Sequence, residues 1–162
     1  MSDNPVLPLL LIHFGASSPS AGELRGRTRL MKLVFLSQME APNAVRELTG
    51  SSQPYRFTRY LYGPFSSDLL RDLDYLHSEG LIDQTAVPMD QEGKVVQWQY
   101  RLTRSGMEIT SRVIGTRASA ELGTLVRRYN SSSTQELLKY VYTKYLRREP
   151  PPAETLPTGI GE

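Results

Sequence analysis

The chain has 162 residues, a length that predicts one domain and a short tail. Its contents of 39% hydrophobic and 22% charged residues are ordinary for a soluble protein with a single core. The 19 basic and 17 acidic residues leave a net charge of +2, so binding to nucleic acid would depend on a local basic patch. The absence of cysteine excludes disulfides, thiol nucleophiles and thiolate metal sites, and it fits a cytoplasmic protein.

The first element is the apolar run from Val6 to Phe14, which predicts a short buried helix. Pro8 is compatible with the first turn of that helix. The run is too short to span a bilayer and no basic residue precedes it, so neither a membrane segment nor a signal peptide is expected. His13 is expected to be a core histidine with a local hydrogen bond.

A small-residue turn over 15–23 precedes a second helix, predicted from a Thr28 cap to about Glu40. Apolar residues surround most of this helix, which is typical of a buried element. Arg25, Arg29 and Lys32 are spaced to share one face if the helix begins early. A loop with a short helix over 43–48 follows.

The alternating segment from Tyr55 to Tyr62 predicts a strand that Gly63 and Pro64 end. A third helix is predicted to run from a serine cap, Ser66 or Ser67, to about Glu79. The leucine spacing within it predicts one buried stripe.

Gly80 is expected to stop the third helix, and residues 81–87 and 94–102 predict a β-hairpin. Thr103 is expected to cap the next helix, which Gly115 and Thr116 interrupt before it continues to about Tyr129. The last helix is predicted from Thr134 to about Arg147. Its apolar stripe of Leu137, Val141 and Tyr145 predicts packing on the core or a homodimer interface.

This order of elements predicts an α+β fold with a winged helix-turn-helix core and extra C-terminal helices. The folded domain is predicted over residues 1–148. Residues 149–162 are rich in proline and predict a disordered tail.

Three segments resemble YwgA-like proteins, namely Gly26–Leu36 (GRTRLMKLVFL), Leu61–Leu73 with its YGPFS motif, and Tyr129–Tyr142. The Tyr-Gly-Pro piece is the most specific of the three. Similar pieces occur in Panacea-type (SocA-like) antitoxin domains, which more often carry YGPV, and in the C-terminal domain of DarG-type antitoxins. The resemblance implies a winged-helix-like fold and, in the antitoxins, binding to a toxin protein. It implies no ADP-ribose hydrolase activity, because this chain has no macrodomain.

The third helix carries an acidic face, with four acidic residues against one basic residue among its polar positions. DNA phosphates would repel this face, which disfavours the usual docking of a recognition helix in the major groove. The face is either a solubilising surface or a surface that binds a basic partner protein. In the second case the candidate residues are Tyr62, Phe65, Asp68, Arg71, Asp72 and Asp74.

Basic residues cluster at the start of the second helix and around the predicted strands. The candidate contacts with double-stranded DNA are Arg25, Arg27, Arg29, Lys32, Arg56, Arg59, Lys94, Arg101 and Arg104. Neighbouring tyrosines favour the same interpretation, because arginine and aromatic side chains together bind phosphates and bases. The alternative for Arg27 and Arg29 is an ion pair with the acidic third helix. The Tyr-Gly-Pro-Phe turn either positions that helix or forms an aromatic ledge, and Trp98 lies either in the core or at an interface.

The sequence does not indicate an enzyme. It holds only two histidines, and it contains neither a phosphate-binding loop nor a nucleophile elbow. Asp72 and Asp74 are two residues apart on a helix and point in different directions. We therefore expect no catalytic residue, cofactor or metal. The leading prediction is a DNA-binding transcriptional regulator, and the alternative is an antitoxin-like or defence-associated protein that binds a partner through the third helix.

Overall fold

The computed structural model describes residues 5–16, 22–60 and 63–146, and these form an α+β protein with small antiparallel sheets. In chain order the elements are α1 (Val6–Ala16), β1 (Leu24–Arg25), α2 (Arg27–Glu40), α3 (Pro42–Thr49), β2 (Thr58–Tyr60), β3 (Gly63–Phe65), α4 (Ser67–Ser78), β4 (Ile82–Pro88), β5 (Val96–Leu102), α5 (Arg104–Ser111), α6 (Arg117–Asn130) and α7 (Thr134–Val141). A π-helical turn, Tyr142–Leu146, continues α7. The predicted disordered tail over 149–162 lies outside the described residues.

Side-chain caps start four of the helices. Ser66, Thr103, Thr116 and Ser133 each accept a backbone N–H three residues further on, which satisfies a donor that the helix leaves free. Helix α2 begins differently, so the predicted Thr28 cap is wrong. Its N-cap is Gly26, whose φ is 106° and whose N–H donates to the Trp98 carbonyl at 2.7 Å. The start of α2 is therefore fixed to β5.

The larger sheet has the strand order β1-β5-β4, with all pairs antiparallel. Strands β4 and β5 form the predicted hairpin, and the two residues of β1 extend it. Leu24 lies opposite Tyr100, and both side chains are buried. Strand β1 was not predicted because two residues carry no alternation. Arg25 therefore lies on a strand and α2 begins only at Arg27, so the early start on which a shared helix face of Arg25 and Arg29 depended does not occur.

The smaller sheet corrects the single strand predicted over 55–62. Strand β2 pairs with β3, so Gly63 and Pro64 form the return strand of a hairpin instead of only ending a strand. Gly63 has a φ of 107°, which residues with a side chain rarely adopt. Pro64 has no N–H to donate, which is tolerated at the edge of a sheet.

The core lies between α1, α2, α6 and α7, where α1 buries four consecutive apolar residues from Leu9 to Ile12. Helix α7 packs against α2, and its residues Leu137 and Val141 are buried within the chain. Leu137 and Val141 therefore pack on the core, which is one of the two roles predicted for this stripe, and the homodimer stays a prediction. Among the described helices, none is long and apolar enough to span a membrane.

Candidate binding surfaces

Helix α4 presents an acidic face to solvent. Its buried side is the predicted stripe of Leu69, Leu73 and Leu76. Across residues 67–79, four acidic side chains stand against Arg71, a net charge of −3 with His77 neutral. Most of the polar side chains on the other side are exposed, and Tyr75 is 40% exposed between them. The face therefore combines negative charge with an exposed aromatic ring.

Contacts within the chain hold some of these carboxylates in place. Asp68 pairs with Arg71 at 2.6 Å, and the exposed Arg56 lies 3.9 Å from its other oxygen. Asp72 accepts a 2.6 Å hydrogen bond from the buried Tyr55 hydroxyl. Burial, assisted by Asp72, raises the pKa of Tyr55 well above its ordinary value. Asp72 therefore anchors α4 to the loop between α3 and β2.

Arg27, a predicted DNA contact, instead connects α2 to the β4–β5 hairpin. Its Nε donates to the Tyr100 hydroxyl at 2.7 Å, and its guanidinium lies 4.0 Å from the centre of the Trp98 ring. It also donates to Gln84, whose amide donates to Asp74 of α4 at 3.1 Å. Burial raises the pKa of Tyr100 to about 12, although Arg27 acts against the rise. Arg27 is thus linked to the acidic helix through Gln84 and makes no direct ion pair with it.

Arg29 and Lys32 also contact the chain's own backbone. Arg29 donates to the Tyr129 carbonyl at 2.9 Å and to the Ser132 carbonyl at 2.8 Å, so it stabilises the C-terminal end of α6 and not α4. Lys32 is only 1% exposed and donates to the Thr28 carbonyl at 3.4 Å. A side chain so deeply buried does not reach a DNA phosphate without rearrangement.

The other predicted DNA contacts are more exposed, but most of them have acceptors. The Glu23 carboxylate pairs with Arg25 at 3.0 Å and with Arg101 at 3.2 Å. Lys94 pairs with Glu92 at 3.1 Å, and Arg59 donates to the Leu146 carbonyl at 3.2 Å. Arg104 is exposed and has no such partner within the described part of the chain. Eight of the nine predicted cations therefore contact other groups of the described chain, and these contacts lie at several separate places.

The three segments that carry the family resemblance meet at Gly63. A Cβ atom on Gly63 would lie 3.2 Å from Cε of Lys32 and 3.4 Å from Cδ1 of Leu138. Gly63 and Pro64 are buried, and Phe65 is half-buried against the core. This packing favours the interpretation in which the Tyr-Gly-Pro-Phe turn positions α4. Tyr62, a candidate partner contact, lies outside the described residues.

A carboxylate–tyrosine cluster was not predicted from the sequence. Glu40, at the end of α2, accepts hydrogen bonds from the hydroxyls of Tyr129 at 2.6 Å, Tyr140 at 2.7 Å and Tyr145. Lys144 lies 3.6 Å from the same carboxylate. Burial alone would raise the pKa of Glu40, but the three hydroxyls and Lys144 hold it below its ordinary value. Burial and Glu40 together raise the pKa values of Tyr129 and Tyr145.

A comparison with protein-family models found no family that matches the chain, and a comparison with curated proteins found no similar protein. The resemblance to YwgA-like proteins therefore stays a prediction. Among the described residues, no three histidine, aspartate or glutamate side chains are placed to hold a metal ion.

Proposed function

We propose that the chain is a non-enzymatic binding protein with a winged-helix core, which binds a basic partner protein through the exposed face of α4. The observation that carries the proposal is a contrast between two surfaces. Helix α4 presents Asp74 and Tyr75 to solvent, Glu79 is exposed at its C-cap, and the hydrogen bond from Gln84 leaves the charge of Asp74 without a counterion. Most of the cations predicted to bind DNA already contact groups of this chain.

The connectivity supports a winged-helix core. Strand β1 lies between α1 and α2 and pairs with β5, and the β4–β5 hairpin follows α4 directly. Helix α4 then has the position of the recognition helix, and the hairpin has the position of the wing. Helix α3 and the β2–β3 hairpin are insertions between α2 and α4 in this scheme.

The chemistry of α4 favours binding of a protein over docking of the helix in the major groove of DNA. A net charge of −3 over 67–79 repels phosphates and attracts lysine and arginine side chains. Tyr75 adds a rigid aromatic surface of the kind that often contributes strongly to binding at protein interfaces. The resemblance to antitoxin domains indicates the same class of partner, a toxin protein.

Double-stranded DNA, which the sequence favours, is the second candidate. The observation in its favour is the arginine group beside the hairpin. Arg25 and Arg101 have side-chain exposures of 52% and 55%, and Arg104 is exposed without a partner in the described part of the chain. If these arginines contacted DNA phosphates, α4 would lie outside the major groove.

The test measures fluorescence anisotropy of two labelled probes, an arginine-rich peptide and a mixed-sequence DNA duplex, over a salt series. Asp74→Lys is the diagnostic variant, because Asp74 is exposed and accepts an exposed hydrogen bond from Gln84, whereas Asp72 anchors α4 through the buried Tyr55. Glu121→Lys makes the same charge change on the exposed surface of α6 and serves as the matched control. Peptide binding that Asp74→Lys abolishes and Glu121→Lys retains is the expected result.

Two other outcomes overturn this proposal. Salt-dependent binding of the duplex that Arg104→Gln weakens, without binding of the peptide, would establish the second candidate. Peptide binding that both lysine variants weaken equally would show general attraction by net charge and no α4 interface.

A further inference from the structure

An open depression of about 340 Å³ lies between the end of α1, the end of β5 and the start of α5. Ile12, Leu102 and Met107 supply apolar lining, while His13, Arg101 and Arg104 supply polar groups. A mainly apolar concavity with a few polar groups is the usual form of a small-molecule site, and this volume is near the lower end of the usual range. The depression is on a different part of the chain from the α4 face.

The polar groups in this depression favour an anion. The guanidinium of Arg101 is already bound to Glu23 at 3.2 Å, so only part of its hydrogen-bonding capacity is in use. Arg104 has no such partner among the described residues, and its guanidinium is free to bind a carboxylate through two parallel hydrogen bonds. Burial lowers the pKa of His13, so its imidazole is neutral at neutral pH and adds no further charge.

The apolar lining requires a ligand with a hydrophobic body. Ile12 is fully buried beneath this lining, so the apolar surface that a ligand can reach comes from the half-buried Leu102 and from Met107, which is 37% exposed. A methionine side chain adapts to ligands of different shape because it is unbranched and flexible. Covering Met107 and Leu102 would remove apolar surface from water, which favours binding.

We infer that this depression binds a small amphipathic carboxylate, with the carboxylate on Arg104 and the hydrocarbon body against Leu102 and Met107. Acetate would lack the apolar contact, and an alkylammonium ion of the same length would place a positive charge beside two arginines. The carboxylate at one end of the ligand and the hydrocarbon chain at its other end thus both define the ligand class. This inference goes beyond the proposed function and does not depend on it.

The experiment is a titration of the full chain, labelled with ¹³C in its methionine methyl groups, with sodium octanoate. Octanoate should shift the Met107 signal and leave that of Met89, which is exposed on the hairpin, in place. Acetate and octylammonium, at the same concentrations, should shift neither signal.

Two arginine variants locate the carboxylate. Arg104→Gln should weaken octanoate binding about fivefold to tenfold, the loss expected for one charge-assisted contact in a partly exposed site. Arg117→Gln, at the equivalent exposed first position of α6, should bind as the unchanged chain does. An unshifted Met107 signal, an equal response to octylammonium, or equal affinities of the two variants would each overturn the inference.

Discussion

Replacing Glu40 by glutamine tests whether the tyrosine cluster fixes the C-terminal helix to the core. Tyr129 belongs to α6, whereas Tyr140 and Tyr145 belong to α7 and the turn that continues it. All three hydroxyls donate to the one carboxylate of Glu40 at the end of α2. The carboxylate therefore joins three helical segments, and Glu40→Gln removes its charge at nearly constant volume.

The expected loss of stability follows from the number of these hydrogen bonds and from the burial of the tyrosines that make them. A hydrogen bond to a charged group contributes about 1.5–3 kcal/mol, against about 0.5–1.5 kcal/mol for a neutral pair. The glutamine amide keeps one good acceptor, and water can solvate the half-buried Tyr140 and Tyr145. Tyr129 is only 8% exposed, so its hydroxyl has less access to water. We expect Glu40→Gln to lower the free energy of unfolding by about 2 kcal/mol at neutral pH.

Urea unfolding at several pH values measures this loss. Because the pKa of Glu40 is lowered in the folded state, its contribution is present above the unfolded pKa of about 4.3 and is lost as the pH falls through the folded pKa. The difference in unfolding free energy between the unchanged chain and Glu40→Gln should therefore begin to narrow below the unfolded pKa of about 4.3 and close only once the pH is below the lowered folded pKa. Glu47→Gln, on the exposed surface of α3, should change stability by less than about 0.5 kcal/mol. A gap below about 0.5 kcal/mol at neutral pH, or one that does not change with acid, would refute the reasoning.

Two further predictions concern the turn before α4 and the hairpin. Gly63→Ala should lower the free energy of unfolding by about 1–3 kcal/mol. The loss should exceed that of Gly50→Ala, because Gly50 has a similar φ of 89° but its Cβ would meet open space. Equal losses for the two variants in urea unfolding would contradict the packing argument. Arg27→Ala should move the emission maximum of Trp98, the one tryptophan, to longer wavelength, because the side chain that covers the indole is lost and water reaches the ring. An unchanged emission maximum would show that the stacking does not persist in solution.

Local signals in the sequence predicted much of the fold. The cap at Thr103 was predicted from residue type and spacing, and so was a serine cap for α4 at Ser66 or Ser67, of which the structure has Ser66. Such caps need only a nearby backbone donor. Gly80, with a φ of 75°, follows the C-cap of α4 as expected. The pairing of β1 and the glycine start of α2 depend on β5, about 75 residues away, and no local pattern reports such a contact.

The candidate site was harder to predict because the partner of a charged side chain is set by the tertiary fold. Arg29 and Lys32 have the spacing of a basic helix face, yet one stabilises the end of α6 and the other is buried beside Gly63. The sequence shows the same charge whether an arginine binds a phosphate or a backbone carbonyl. Glu40 shows the converse, because a single glutamate at a helix end carries no sign of the three distant tyrosines that bind it.

The acidic residues of α4 differ from these basic residues in their exposure to solvent. A helix with a buried leucine stripe must present its remaining positions to solvent, so the exposure of Asp74 follows from periodicity alone. Charge on such a face is available to a partner unless another part of the chain neutralises it. Arg71 and Arg56 neutralise Asp68, but Glu79 has no ion pair within the described residues. Asp74 accepts only a neutral hydrogen bond from Gln84, so Asp74 and Glu79 are exposed carboxylates that no ion pair within the described residues neutralises. Lys32 is buried, and Arg27 and Arg29 are half-buried in contacts with this chain. This difference in exposure favours a basic protein over DNA as the ligand.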